Sequence, residues 1–206
     1  MKAIEIGRLL RASTTEFVVG CRATQITAPA FGALVRVPLE DGSQIFGLIY
    51  DIHIDDDGLV RQLVTAQVAD EAVIADNRQN RNVPLEMSVL VVGCQQGENI
   101  SHLLPPRPPL SLDVIYLCDA DEIRNFTSAG RFGYFRHILR NADIPIGELL
   151  AAHFQGAQAA HTEAGNLDWS QDATKELIAL LRDDYSTLIS VLGALSDAIP
   201  EKPTEV

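Results

Sequence analysis

Lysine is scarce in this 206-residue sequence, which holds only three lysines among its 16 basic residues. None of them follows a glycine, so the chain lacks the Gly-Lys-Ser/Thr core of the phosphate loop that holds nucleotides in many ATPases. The zinc-protease pattern His-Glu-x-x-His and the nucleophile elbow Gly-x-Ser-x-Gly are also missing. The sequence therefore predicts a protein that is not an enzyme and that uses no cofactor.

The basic residues are outnumbered by 28 acidic ones, which gives a net charge of −12. Non-specific affinity for nucleic acid comes from Lys and Arg side chains that neutralise phosphates. The acidity runs through the whole chain, since residues 1–118 carry 9 basic and 14 acidic groups and residues 119–206 carry 7 and 14. We therefore expect no direct contact with nucleic acid.

Long apolar runs and paired cysteines are missing too. No stretch approaches the roughly 20 apolar residues of a membrane-spanning helix, and Glu5 and Arg8 interrupt the N-terminus before a signal-peptide core can form. Cys21, Cys94 and Cys118 lie far apart among Val, Gly and Leu, which favours free, buried thiols. These features predict a cytoplasmic protein that does not contact a membrane.

What the sequence does contain, up to residue 118, is a series of short strands. A hairpin is predicted over about 33–54, because Asp41-Gly42 supplies the positive φ of a tight turn. In its second strand, alternate apolar residues are predicted to line one face: Phe46, Leu48, Tyr50, Ile52 and Ile54. Further strands are predicted at about 3–11, 16–22, 85–93 and 113–118. Such a series favours a small closed antiparallel barrel.

Two segments interrupt these strands. Residues 59–76 place Leu59, Leu63, Ala66 and Val73 on one helical face, which predicts a helical excursion. The prolines of Pro105-Pro-Arg-Pro-Pro109 cannot donate ladder hydrogen bonds. This segment is either a rigid connector into the last strand, which the strand that follows favours, or a ligand for an aromatic-lined groove.

From Asp119 onward the apolar period becomes helical. Helices are predicted from a cap at Asp119 or Asp121 to Phe126, over 131–140, from Pro145 to about 161, and from about 171 to 199. The expected fold class is therefore α+β, with a β-barrel domain at residues 1–118 and a helical domain at 119–206.

The last predicted helix carries an apolar seam with spacings of 4, 3, 4, 3 and 4 residues. Its members are Leu181, Tyr185, Leu188, Leu192, Leu195 and Ile199. Two interpretations stay open. The seam either packs on the helix at 145–161 within the chain, or its residues from Leu181 to Leu195 bind a partner or a second copy.

One cluster could ligate a metal. Strand alternation would put Asp51, His53 and Asp55 on one face, and their oxygen and nitrogen atoms suit a divalent cation. The opposite face of that strand is apolar, and Asp55-Asp-Asp-Gly58 has the composition of a turn. The favoured interpretation is a solvated face, with a metal site as the alternative.

Several segments carry a resemblance to a known family: Ile6-Gly-Arg-Leu-Leu, Glu16-Phe-Val-Val, Ala33-Leu-Val-Arg-Val-Pro-Leu-Glu-Asp-Gly and Phe46-Gly-Leu-Ile-Tyr-Asp-Ile. Together they resemble the HerA–ATP synthase barrel, or HAS-barrel, of HerA-type DNA translocases and rotary ATP synthase subunits. Pro105-Pro-Arg-Pro-Pro followed by Asp113-Val-Ile-Tyr-Leu-Cys-Asp-Ala-Asp-Glu-Ile is similar to the step from the HerA barrel toward its ATPase. The resemblance covers roughly residues 3–125.

The departure from that family is informative. A P-loop ATPase follows the barrel in HerA-type proteins, whereas residues 119–206 of this chain contain no phosphate loop. In the family the barrel helps to hold a ring together and, in HerA, docks a NurA-type nuclease. The resemblance therefore implies a stand-alone barrel protein with an assembly or docking role at residues 3–118, and it does not identify the partner. Our leading hypothesis is a non-enzymatic interaction protein, with a HerA-like ATPase or a NurA-like nuclease of DNA processing as the candidate partner. The alternatives are a divalent-metal or small-ligand module and a structural homo-oligomer.

Overall fold

The computed structural model describes residues 3–21, 29–54, 58–65, 71–79 and 85–198. Its strands are β1 (Ile4–Ala12), β2 (Glu16–Cys21), β3 (Leu34–Pro38), β4 (Gln44–Ile54), β5 (Leu85–Gln96), β6 (Asn99–Ser101) and β7 (Val114–Leu117). Six of them close a ring in the order β1-β2-β5-β4-β3-β7, with β7 returning to β1 and every junction antiparallel. β6 adds to β5 outside this ring. The predicted α+β class with an N-terminal antiparallel barrel is confirmed.

The turn between β3 and β4 shows why the hairpin forms where the sequence predicts it. Gly42 has a φ of +81°, a conformation that glycine adopts without steric cost. The Asp41 carboxylate accepts hydrogen bonds from the backbone N–H and the hydroxyl of Ser43, at 3.0 and 2.5 Å. These bonds hold the pKa of Asp41 below its usual value. The strands then pair from Pro38 with Gln44 to Leu34 with Leu48.

The prediction that five alternate residues of β4 share one face is wrong. Phe46 and Leu48 pack outward against the helical region, whereas Ile52 packs with the barrel interior beside Ile49. The pairing register between β4 and β5 shifts between Ile49 and Asp51, and this irregularity reverses the alternation. β4 is therefore apolar on both faces over its first half.

Seven α-helices accompany the barrel in the described residues. They are α1 (Gly58–Thr65), α2 (Glu71–Gln79), α3 (Ala120–Ser128), α4 (Phe135–Leu139), α5 (Ile146–Glu163), α6 (Trp169–Leu180) and α7 (Tyr185–Ala198). The helical excursion between β4 and β5 is present as α1 and α2, although Ala66 lies outside the described residues. Asp119 caps α3, because its side chain accepts a hydrogen bond from the Glu122 backbone while the Glu122 side chain accepts one from Asp119.

The single helix predicted from about 171 to 199 is wrong, because the chain turns between Leu181 and Asp184. The Asp184 amide bonds to the Leu181 carbonyl at 2.9 Å, which closes the turn. The Asp184 side chain then accepts a hydrogen bond from the Thr187 backbone at 3.1 Å and caps α7. Ile199, the last seam residue, lies outside the described residues.

In the part of the chain that the structure describes, two apolar clusters form the core. One fills the barrel and includes Ile6, Phe17, Val35, Ile45, Met87, Val89 and Ile115. The other joins the outer face of β4 and β5 to the helices and includes Phe46, Leu48, Leu90, Val92, Phe126, Tyr134, Leu150 and Phe154. Because the second cluster takes side chains from both regions, the helices are packed directly on the barrel. None of the helices in the described part is long and apolar enough to cross a membrane.

Candidate functional site

The segment between β6 and β7, residues 102–113, is anchored where it begins. His102 is buried, and its Nε2–H donates to the Phe126 carbonyl at 3.0 Å. The His102 carbonyl accepts hydrogen bonds from Arg136 and from His137 Nε2. Desolvation by burial lowers the pKa of His102, so the ring is neutral near pH 7. This end of the segment is therefore fixed to α3 and α4.

Hydrogen bonds also fix the other end. The Leu110 backbone N–H donates to the Asp113 carboxylate at 2.8 Å, and the Asp113 amide donates to the Leu110 carbonyl at 3.1 Å. The Leu112 amide donates to the Leu9 carbonyl in β1 at 2.8 Å. Pro105 and Pro109 are buried, so the residues between them are held in place at both ends. The segment is an ordered part of the fold, as the connector interpretation predicts.

Exposed apolar side chains distinguish this segment from an ordinary connector. Leu110 and Leu112 are 66% and 68% exposed, and Leu103 and Leu104 are exposed at the other end. Pro106, Arg107 and Pro108 are exposed between them. Scattered exposed leucines are common on protein surfaces, whereas large contiguous apolar patches mark interaction sites.

The backbone at Leu112 is strained. Its φ of +73° lies in the left-handed region, which is unfavourable for a residue with a β-carbon. The Arg8 side chain donates to the Leu112 carbonyl at 3.1 Å and helps to hold this conformation. Because the side chain is exposed, burial within this chain does not offset the strain. Strain of this kind is concentrated at functional positions in proteins.

A groove of about 580 Å³ runs beside the segment. Arg107, Pro109 and Leu110 line one side, and Asp41 and Ile45 from the β3–β4 hairpin line the other. Among the described residues, no carboxylate lies within 4.0 Å of the Arg107 guanidinium, although its charge contributes slightly to the lowered pKa of Asp41. The groove thus holds the Arg107 cation together with three carboxylates, those of Glu40, Asp41 and Asp113.

The structure places the metal candidates on the barrel surface. His53 Nδ1 lies 3.0 Å from the Asp51 carboxylate, and His53 Nε2 lies 3.9 Å from that of Glu86. Glu86 also pairs with Arg11 at 3.2 Å. Asp55 lies outside the described residues. Within the described ranges, no three His, Cys, Asp or Glu side chains are grouped so that they could hold a metal ion.

The seam residues are divided between the core and the surface. Leu181 and Leu195 are buried in the cluster shared with the barrel, and Leu188 and Leu192 pack against it. Tyr185 is 74% exposed. The helix α7 packs along α5. The two helices are so close at Gly147 of α5 that a Cβ added there would lie 3.4 Å from the Cβ of Ala194 in α7. The seam thus packs within the chain, with Tyr185 outside it.

The three cysteines are free thiols, and Cys21 and Cys118 are buried while Cys94 is partly buried. Desolvation by burial raises the pKa of each thiol. The thiolate needed for nucleophilic attack is therefore disfavoured at these positions.

Sequence reasoning missed the exposed leucines around the proline segment. The available signal was the run Leu103-Leu104-Pro-Pro-Arg-Pro-Pro-Leu110-Ser-Leu112, in which leucines flank prolines on both sides. Comparison with known proteins adds no further assignment, because no protein-family model and no curated protein matches the chain.

Proposed function

We propose that this chain is a non-enzymatic interaction protein whose barrel docks a protein partner, a HerA-like ATPase or a NurA-like nuclease of DNA processing. The observation that carries the proposal is the anchored segment 102–113, which holds exposed leucines and prolines on the barrel surface. Ordered apolar side chains lose little conformational entropy on binding, so they suit docking.

The charge of the chain supports the same role. A net charge of −12 favours encounter with the basic surface of a nucleic-acid enzyme, because complementary fields steer association. It also keeps the chain from competing for the DNA itself. The resemblance to the HAS-barrel names the class of enzyme, and the exposed segment supplies a surface for it.

Co-expression tests the proposal. The tagged chain would be produced with the HerA-like ATPase and the NurA-like nuclease of the same genome, one at a time, and the purified material analysed by size exclusion with light scattering. We expect a complex that contains one of the two enzymes and is heavier than the 22.4 kDa chain and that enzyme alone. Elution of the chain separately from both enzymes would contradict the proposal.

A further inference from the structure

A polar cavity of about 790 Å³ lies between the β5–β6 hairpin and α3. The strand β4 also contributes to its lining, through Gln44 and Phe46. Cavities of about 300–1,000 Å³ are the usual size of small-molecule sites. No residue of the segment 102–113 is among its described lining, so this cavity is separate from the surface proposed for docking.

Polar side chains from β4, the hairpin and α3 meet at this cavity. Four carboxamides and one hydroxyl line it, those of Gln44, Gln95, Asn99, Asn125 and Ser128. Within the part of the chain that the structure describes, only Gln95 uses its side chain in a hydrogen bond, which Nε2–H donates to the Gly97 carbonyl at 2.8 Å. The remaining donors and acceptors are therefore available to a ligand.

Gln44 is the most unusual of these side chains. Its Oε1 is buried and has no hydrogen-bond partner among the described residues. Gln44 pairs with Gln95 across the β4–β5 ladder, so the two carboxamides are neighbours on one face of rigid strands. Buried polar groups are nearly always paired, because burial without a partner costs free energy. An unpaired buried carboxamide beside a cavity points to a partner that the chain does not supply.

The backbone at the end of α3 is strained beside the same cavity. Gly130, Arg131 and Phe132 are consecutive residues in the left-handed region, with φ of +54°, +47° and +58°. This conformation is unfavourable for Arg131 and Phe132, which have a β-carbon. The strained turn follows α3 directly, where Ala129 and Gly130 line the cavity. Strain of this kind is concentrated at binding and catalytic sites, which supports a function for this cavity.

Charge restricts the class of ligand. None of the described lining residues is Lys, Arg or His, so a phosphate or carboxylate group would find no cation there. The lining holds the carboxylates of Glu98 and Glu122, and Glu122 is already paired with Arg36 at 2.5 Å. Glu98 is exposed to water, which screens its charge. The cavity therefore disfavours anions and selects a ligand that is polar and uncharged.

The hydrogen-bonding groups point to hydroxyls. A carboxamide offers a donor beside an acceptor, and each hydroxyl can both donate and accept, so carboxamides match neighbouring hydroxyls. Carboxamides also match the edges of nucleobases, but proteins usually stack unpaired bases on aromatic rings. Phe46 is the one aromatic residue in the described lining, and it is 2% exposed with its ring 4.9 Å from that of Phe126. Its ring face is therefore not available to a base.

We propose that this cavity binds a neutral saccharide. The sugar hydroxyls form hydrogen bonds with the carboxamides of Gln44, Gln95 and Asn125, and the apolar C–H face of the ring packs against Ile100. The site goes beyond the proposed docking function and does not depend on it, so each of the two can be tested alone.

Saturation-transfer NMR tests the class of ligand. The full chain would be mixed at low millimolar concentration with glucose, galactose, mannose, maltose, sucrose or trehalose, and with AMP or spermidine as comparison. This readout is preferable to a thermal shift, because sugars stabilise proteins by exclusion from the surface without binding. We expect transfer to at least one saccharide, with a Kd below about 1 mM. Transfer to none of the saccharides, or equal transfer to AMP or spermidine, would overturn the proposal.

Two variants and a matched control locate the site. Asn125→Ala removes an exposed carboxamide from α3, Gln44→Met removes the unpaired one from β4, and Gln171→Ala removes an exposed carboxamide from α6. Alanine favours both helices, so Asn125→Ala and Gln171→Ala should fold as the wild type does. By NMR titration with the saccharide that binds, we expect at least tenfold weaker affinity in the two cavity variants and unchanged affinity in Gln171→Ala. Wild-type affinity in Asn125→Ala, or an equal loss in Gln171→Ala, would place binding elsewhere and overturn the assignment.

Discussion

At the scale of single residues, His153 in α5 is a titratable group buried in the interior. Its Nε2 lies 3.0 Å from the Tyr134 hydroxyl. Desolvation lowers its pKa to about 4, although a hydrogen bond with the Gly32 backbone opposes the shift. Gly32 precedes β3, so this histidine lies where α5 meets the barrel, and the neutral ring is part of the packing there.

The buried His153 predicts a loss of stability in acid. The unfolded chain binds a proton with a pKa near 6.5 and the folded chain only near 4, so the free energy of unfolding should fall as the pH drops from about 6.5 to 4. A shift of this size corresponds to about 3 kcal/mol. Urea unfolding at several pH values should show this slope reduced in His153→Gln and retained in His53→Gln, a change at a partly exposed histidine. Equal slopes in the two variants would contradict the assignment.

The strain at Leu112 makes a second prediction at this scale. Replacing Leu112 by glycine relieves the left-handed conformation without loss of buried surface, so the free energy of unfolding should rise by about 0.5–1 kcal/mol. Leu110 has a similar exposure and no positive φ. Leu110→Gly should therefore lower the free energy of unfolding by about 0.5–1 kcal/mol, because glycine raises the conformational entropy of the unfolded chain. Thermal unfolding of the two variants measures both. Destabilisation by Leu112→Gly would show that its side chain contributes to packing.

At the scale of elements, α7 shows how one helix divides between core and surface. Val191 is 1% exposed and Ile189, two residues earlier, is 50% exposed. Val191→Asp should therefore lower the free energy of unfolding by about 3 kcal/mol or more, because it buries a charge without a partner. Ile189→Asp should change the free energy of unfolding by less than about 0.5 kcal/mol. Chemical denaturation measures both, and similar losses in the two variants would mean that α7 buries a different face.

The elements also show which information the sequence carried. The Asp41-Gly42 turn and the Asp119 cap were predictable, because each depends on residues within four positions. The faces of β4 were not, because the register shift beyond Ile49 depends on its pairing with β5. The turn between Leu181 and Asp184 contains neither Gly nor Pro, and the apolar seam spacing continues through it. The sequence therefore did not indicate that the helix ends there.

The candidate site was hidden for a related reason. The leucines around Pro105–Pro109 are ordinary in composition, and their exposure depends on how β6, α3 and β1 hold the segment. The bulge at Leu10 depends on how β1 pairs with β2, and the positive φ of Leu112 is a backbone property that composition does not reveal. Only the spatial arrangement distinguishes this segment from an ordinary connector.

At the scale of the whole molecule, the barrel and the helices share one apolar cluster. Phe46 and Leu48 of β4 contribute to it together with Phe126 and Phe154 of the helices. Separating the two regions would expose all of these side chains to water, at a cost of about 1.5–3 kcal/mol for each large residue. The two regions should therefore unfold together.

The single tryptophan makes that expectation measurable. Trp169 is buried in α6 and stacks on the His161 ring, with 5.0 Å between the ring centroids. Its fluorescence therefore reports on the helical region. We expect the fluorescence and the far-ultraviolet circular dichroism to change at the same urea concentration. A fluorescence transition that comes clearly first would show that the helices leave the barrel before the strands separate.

The closure of the barrel also sets the order in which the protein can form. β1 pairs with β7, whose residues lie more than a hundred positions later, so the ring remains open until residue 117 has left the ribosome. Until α5 follows, the outer faces of β4 and β5 are uncovered strands rich in Val, Ile and Leu. Pairing over such long sequence separations slows folding, so these apolar strand faces stay exposed to water for longer. The nascent chain is therefore prone to aggregate until the helices have been synthesised and cover these strands.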